Sequence, residues 1–144
     1  ADAAPVVSGG AAADGAADGV APAREWISGL DYEKGIEFTG TPQNLETVLG
    51  IFTRAGPKML DALEAGRRSG NQGQYRTAAH SLISACANIG GVALSARARE
   101  LEQAILAGRT EEADRLYPIV HAELGRLIDA VSGHVQKAAK GSTP

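Results

Sequence analysis

Four successive stretches of this chain place apolar side chains at the three- and four-residue spacing of an amphipathic helix, and this pattern constrains the fold more than any other feature. Thr41-Pro42 opens the first stretch, Asn71 is suited to cap the second, and Gly108 ends the third. Four such helices joined by short loops can bury their apolar faces only against one another. The pattern therefore predicts an all-α fold, an antiparallel up-down four-helix bundle. The predicted helices run from Pro42 to Gly66 or Gly70, from Asn71 to Gly90, from about Val92 to Ala107, and from Thr110 onwards.

The composition divides the chain into three parts. Residues 1–23 consist mainly of Ala, Gly, Asp and Pro, with no Leu, Ile or aromatic residue. Such a segment buries too little apolar area to offset its ordering entropy, so we expect a flexible linker. Residues 24–40 contain Trp26, Tyr32 and Phe38, which indicate a short segment that caps one end of the bundle. The bundle domain is therefore predicted over residues 24–137, with a disordered tail over 138–144.

Charge and hydropathy exclude several classes of protein. All 14 Lys and Arg lie at or after Arg24, and so do all but three of the 17 acidic residues, so the formal charge of the predicted domain is zero. Nucleic-acid binders usually carry a basic surplus, so we expect no nucleic-acid partner. No run of about 18 uncharged apolar residues is present, so we expect no membrane-spanning helix and no direct membrane contact. The balanced charge is compatible with a monomer. Because the chain does not begin with Met, we expect it to be a segment of a longer polypeptide.

His80 is the most distinctive surface residue that the sequence offers. The apolar face of the second helix centres on Ala79 and Cys86, and His80 lies about 120° away from it, towards solvent. Arg76 and Ser84 lie one turn before and after His80 on the same side. Apart from Arg76, the neighbours on this side are small, so a second protein can reach the imidazole.

The residues around His80 resemble the histidine-containing phosphotransfer (HPt) domain. The family pattern is A-H-x-L-K-G-x-x-x-x-x-G, followed by a leucine-rich helix ending in L-E. This chain has Ala79-His80-Ser81-Leu82 and Gly90, and then Leu101-Glu102. The resemblance extends over about residues 29–135 and includes the helix with Phe52 and Pro57. It differs at two positions, where Ile83 replaces the usual Lys and Ser84 replaces the usual Gly.

The resemblance implies a phosphorelay module. His80 is then the phosphoacceptor, which takes a phosphoryl group from the aspartate of one receiver domain and passes it to another. Arg76 and Ser84 are expected to support the phosphoryl group or the imidazole. Ile83, Ala87 and Gly91 are expected to form the receiver docking face. The sequence shows no carboxylate that would orient His80, and none is expected to be necessary.

The resemblance also implies the setting of the domain. The expected partners are response-regulator receiver domains and a histidine kinase in the same chain. The domain is then the C-terminal module of a hybrid sensor histidine kinase, and it is expected in the cytoplasm even where the parent protein is anchored in the inner membrane. No cofactor is expected, because the receiver brings its own Mg²⁺. The isolated domain is a phosphoryl carrier and not an enzyme.

Other readings of the sequence stay open. The first alternative is a degenerate bundle that docks receiver or kinase domains without being phosphorylated, and Ile83 is its best support. A helical bundle that senses a metal ion or a small molecule is the third hypothesis. Thirteen residues separate His121 from His134, which places them on different sides of the fourth helix and disfavours a shared metal site. We expect His121 to be an exposed flank residue, His134 to lie in a frayed helix end, and Cys86 to be a packed core thiol.

Overall fold

A computed structural model describes residues 26–141, and within that range the protein consists of five α-helices without a β-strand. The four long helices correspond to the four predicted stretches, and the additional short helix lies in the predicted capping segment. The prediction of an all-helical bundle is confirmed. The helices are α1 (Tyr32–Thr39), α2 (Pro42–Ser69), α3 (Gln72–Ala87), α4 (Val92–Leu106) and α5 (Thr110–Gly141).

Side-chain caps fix the start of three helices. The side chains of Asp31, Thr41 and Asn71 each accept a hydrogen bond from the backbone N–H three residues later, at 3.0, 3.0 and 2.9 Å. Each cap satisfies one of the N–H groups that the first turn of a helix leaves without a partner. Because these caps depend on local sequence alone, the boundaries of α2 and α3 agree closely with the sequence pattern.

The four long helices surround one hydrophobic core. α2 contacts α3 and α5, and α4 contacts the same two helices from the other side. Glu46, near the start of α2, bonds His134 late in α5, whereas Glu64, late in α2, bonds His121. The two helices thus lie side by side in opposite directions. Among the side chains that are fully buried are Leu45, Leu49, Leu63, Leu82, Leu101 and Leu124.

The capping segment docks on the turn between α3 and α4. The backbone N–H of Asp31 donates to the carbonyl oxygen of Gly90 at 2.9 Å. Gly90 has φ +89°, and a Cβ on it would overlap the carbonyl oxygen of Asp31, so only glycine fits this close approach. Trp26 packs edge-on against Tyr32 and His134, with ring centroids 4.7 and 4.9 Å apart. These contacts hold the turn that follows α3, the helix of His80.

The two ends of the chain are predicted to be a linker and a tail without helix. The predicted linker over residues 1–23 and residues 142–144 of the predicted tail lie outside the described residues. α5 extends to Gly141, so residues 138–141 of that tail are helical. Within residues 26–141 no helix combines the length and apolar character that spanning a bilayer requires.

Candidate functional site

His80 lies in the middle of α3 on the side turned away from the core. Its side chain is 63% exposed. The opposite side of α3 packs into the bundle through Ala79, Leu82 and Cys86, all fully buried. The helix therefore fixes the backbone of His80 while its imidazole extends into solvent.

Glu102, on α4, holds one nitrogen of this imidazole. Its Oε2 lies 2.8 Å from Nδ1 of His80, and its side chain is only 11% exposed. A carboxylate accepts hydrogen bonds, so in the neutral ring Nδ1 carries the proton and donates a hydrogen bond to Oε2 of Glu102. The lone pair is then on Nε2, which makes no hydrogen bond to any residue in the range 26–141. The arrangement presents a nucleophilic nitrogen at the exposed tip of the ring.

Arg76 contacts the same carboxylate oxygen. Its Nη1 donates to Oε2 of Glu102 at 3.2 Å from a position one turn before His80 on α3. The positive guanidinium compensates the charge of a carboxylate that is largely withdrawn from water. Arg76 therefore holds the carboxylate of Glu102 in place beside His80.

Ser95 fixes the position of α4 along the axis of α3. Its hydroxyl donates to the carbonyl oxygen of Ile83 at 2.7 Å in a buried position. Ser95 and Glu102 lie seven residues apart, so they share one side of α4. Within residues 26–141 they are the two buried polar residues, and both bond α3. This pair of contacts brings Glu102 opposite His80.

The other two histidines are held through the opposite nitrogen. His121 bonds Glu64 through Nε2 at 2.6 Å, and His134 bonds Glu46 through Nε2 at 2.9 Å. Their Nε2 atoms are therefore occupied, and their Nδ1 atoms lie next to the side-chain stem, where access is poorer. Among the three histidines, His80 presents Nε2 to solvent.

Comparison with known protein families decides the identity of this fold. The model of the Hpt domain family matches residues 47–134, more than half of the chain. The chain belongs to the Hpt domain family. No curated protein and no solved structure matches it. Hpt domains carry phosphoryl groups on histidine in two-component phosphorelays, where they interact with receiver domains and kinases. They are phosphocarrier modules and not enzymes themselves.

Two residues expected on the docking face of this Hpt domain are buried. Ile83 is 7% exposed and belongs to the hydrophobic core. Gly91 is also buried, and a Cβ on it would lie 3.0 Å from the carbonyl oxygen of Cys86 and 3.4 Å from Leu30. The expectation that Ile83 and Gly91 present surface to a receiver is wrong.

The remaining predicted site residues lie near His80 with different contacts from those expected. Ser84 is exposed one turn after His80 and makes no side-chain hydrogen bond within the described part of the chain. The imidazole is therefore held by Glu102 and not by Ser84. Ala87 is half-buried one further turn along α3. Arg76 is close to His80 as expected, but its guanidinium is bound to Glu102.

Sequence reasoning missed Glu102 and treated an orienting carboxylate as unnecessary. The structure corrects this, because a buried carboxylate does hold Nδ1 of His80. A signal was present, since Glu102 lies four residues after Ala98 and three before Ile105, at the spacing of buried positions. A charged residue at such a position is rarely buried unless it is paired.

The rival chemistries find little support around His80. Burial raises the pKa of the Cys86 thiol to about 12, so this thiol is protonated and unreactive near neutral pH. No three or more His, Cys, Asp or Glu side chains form a metal-binding group within residues 26–141. A cavity of about 460 Å³ lies at the end of the bundle near Arg67 and Tyr75, and His80 does not line it.

His134 packs against Trp26 inside a continuing helix, so it does not lie in a frayed end.

Proposed function

We propose that this domain carries a phosphoryl group on Nε2 of His80 between the aspartates of two receiver domains. The observation that carries the proposal is the bond from Nδ1 to the buried Glu102, which leaves Nε2 as the exposed, unprotonated nitrogen. Membership of the Hpt domain family supports the same role. The opposite direction of α2 and α5 supports an antiparallel up-down four-helix bundle as its scaffold.

The transfer step needs no base on this domain. The lone pair of Nε2 attacks the phosphorus of an aspartyl phosphate, a P–N bond forms, and the P–O bond to the aspartate breaks to release a carboxylate. The ring keeps its proton on Nδ1 and becomes positively charged as the P–N bond forms. Glu102 stabilises that developing charge at 2.8 Å from Nδ1. Transfer to the next receiver reverses these steps, and the receiver supplies Mg²⁺ and its own carboxylates.

The docking surface is the exposed side of α3 around His80. Ser84 and Ala87 are small and lie along this side after His80, so they leave room for a receiver. Ile83 and Gly91 contribute to the packing beneath this surface and not to its face. We propose that the parent chain is a hybrid sensor histidine kinase and that the domain acts in the cytoplasm, where receiver domains operate.

Incubation with a phosphorylated receiver tests this proposal. The wild-type chain is expected to acquire acid-labile, base-stable phosphate, whereas His80→Gln acquires none. His121→Gln is a matched control, because His121 also pairs with a glutamate but through Nε2. Equal labelling of the wild type and His80→Gln contradicts the proposal.

A degenerate docking domain is the second candidate, and the absence of a lysine at position 83 favours it. Under this alternative a receiver binds the domain but no label is transferred. Receiver binding by His80→Ala is expected under both proposals, so binding alone does not separate them. Stable binding of a phosphorylated receiver by the wild type without any transfer supports the docking domain.

A further inference from the structure

A phosphoryl group on His80 needs more positive charge than its nearest neighbours supply. Such a group carries about −1.5 to −2 charges near neutral pH. Glu102 adds a negative charge on the other side of the same ring. Arg76 balances Glu102, to which it is bound at 3.2 Å. Ile83 occupies the position of the usual lysine and is buried and uncharged.

Among the cationic residues of α3 and α4, one is available to bind a phosphoryl group. The two helices contain three arginines and no lysine. Arg76 pairs with Glu102, and Arg97 pairs with Glu123 of α5 at 3.4 Å. Arg99 is exposed and makes no ion pair or side-chain hydrogen bond within residues 26–141.

The cross-helix contacts place Arg99 beside His80. Ser95 bonds Ile83, and seven residues later Glu102 bonds both His80 and Arg76, so α4 runs in the opposite direction to α3 between these contacts. Arg99 therefore lies on α4 between the contact with Ile83 and the contact with His80. Arg99 precedes Glu102 by three residues, so it lies about 60° further round α4, towards solvent. A side chain of this length is long enough to extend from that position to a phosphoryl group on Nε2.

We propose that Arg99 binds the phosphoryl group on His80 and provides the charge that the family usually draws from lysine three residues after the histidine. This inference rests on the proposed function. The planar guanidinium can donate two parallel hydrogen bonds to phosphoryl oxygens. It approaches from α4, whereas the usual lysine lies on the same helix as the histidine.

Phosphorylation of the full chain by phosphoramidate tests the role of Arg99 without a receiver. The reagent transfers its phosphoryl group to Nε2 and releases ammonia. ³¹P NMR measures the steady-state fraction of phosphohistidine and the pH midpoint at which its resonance shifts. Arg99→Gln is expected to lower that fraction about threefold and to raise the midpoint by about 0.5 pH unit, because a nearby cation favours the doubly charged phosphoryl group.

Two variants control this experiment. Arg97→Gln removes the same charge from the same helix but faces α5, so both readouts are expected to match the wild type. Arg99→Lys keeps the charge, so its pH midpoint is expected to lie close to that of the wild type. A purely structural role of Arg99 would not predict this rescue by lysine.

The outcomes separate the two proposals. If Arg99→Gln matches the wild type and Arg97→Gln, the role of Arg99 is overturned and the proposed function stands. If both arginine variants lower the fraction equally, the effect comes from net charge and the role of Arg99 is again overturned. If the wild type gains no phosphate that His80→Gln lacks, the proposed function fails, and the role of Arg99 fails with it.

Discussion

At the scale of single residues, one carboxylate oxygen determines which nitrogen of the neutral His80 ring carries the proton. Oε2 of Glu102 accepts hydrogen bonds from both Nδ1 of His80 and Nη1 of Arg76. The bond to Nδ1 selects the tautomer, and the bond to Arg76 holds the carboxylate of Glu102 in position. The two residues on α3 thus depend on one residue on α4. His80 alone does not define the site.

Replacement of Glu102 is expected to slow phosphotransfer without removing the acceptor. In Glu102→Leu the Nδ1 proton has no carboxylate to bind, so both tautomers are populated and the rate of phosphotransfer falls about tenfold. Glu102→Gln keeps an acceptor oxygen but not the charge, and an intermediate rate is expected. ¹⁵N NMR of the imidazole measures the tautomers, and transfer from a phosphorylated receiver measures the rate.

The exposed Glu100, on the same helix, is the control for this change. Glu100→Gln is expected to leave both the tautomer and the rate unchanged. A wild-type rate in Glu102→Leu would contradict the role of Glu102.

Introduction of the usual family lysine is expected to destabilise this chain. Ile83 is 7% exposed in the core, so Ile83→Lys replaces a buried apolar side chain with one whose ammonium group must extend out of the core to reach water. We expect the free energy of unfolding to fall by about 2 kcal/mol. Urea denaturation followed by circular dichroism measures the change.

The neighbouring exposed position provides the comparison. Ser84→Lys is expected to change the free energy of unfolding by less than about 0.5 kcal/mol. Equal stability of the two variants would show that the side chain at position 83 is not buried in solution.

At the scale of helices, the sequence predicts what depends on local residues and misses what depends on packing. The caps Thr41 and Asn71 act within their own turn, so the starts of α2 and α3 can be read from the sequence. The burial of Ile83 and Gly91 depends on how α3 is rotated against α4 and on where the capping segment docks. The contact between Glu102 and His80 joins residues 22 positions apart, and helical periodicity alone does not set such a pairing.

Gly66 tests the close packing of α2 on α3. A Cβ at this position would lie 2.8 Å from Cα of Tyr75, and backbone cannot yield as a flexible side chain can. Gly66→Ala is therefore expected to lower the free energy of unfolding by about 1–3 kcal/mol despite the better helix propensity of alanine.

Gly50 is the matched control on the same helix. A Cβ there meets nothing within 4 Å, so Gly50→Ala is expected to raise the free energy of unfolding by about 0.5–1 kcal/mol. Thermal unfolding of the two variants compares them directly. An equal gain in both would contradict the close contact of α2 with α3.

At the scale of the whole molecule, the closely packed helices of the bundle support one exposed histidine, His80. α2 and α5 are joined by the bonds from Glu46 to His134 and from Glu64 to His121, on the side of the bundle away from His80. The α3–α4 pair carries the site, and the capping segment holds the turn that connects these two helices. The bundle therefore leaves Nε2 of His80 exposed and holds the other two histidines in contacts with glutamates of α2.

The measurement that tests this account most directly is a ¹H–¹⁵N correlation spectrum of the phosphorylated chain, which identifies the nitrogen that bears phosphorus. The account predicts a phosphoryl group on Nε2 of His80 and a proton on Nδ1. A phosphoryl group on Nδ1 of His80, or on His121 or His134, would contradict it.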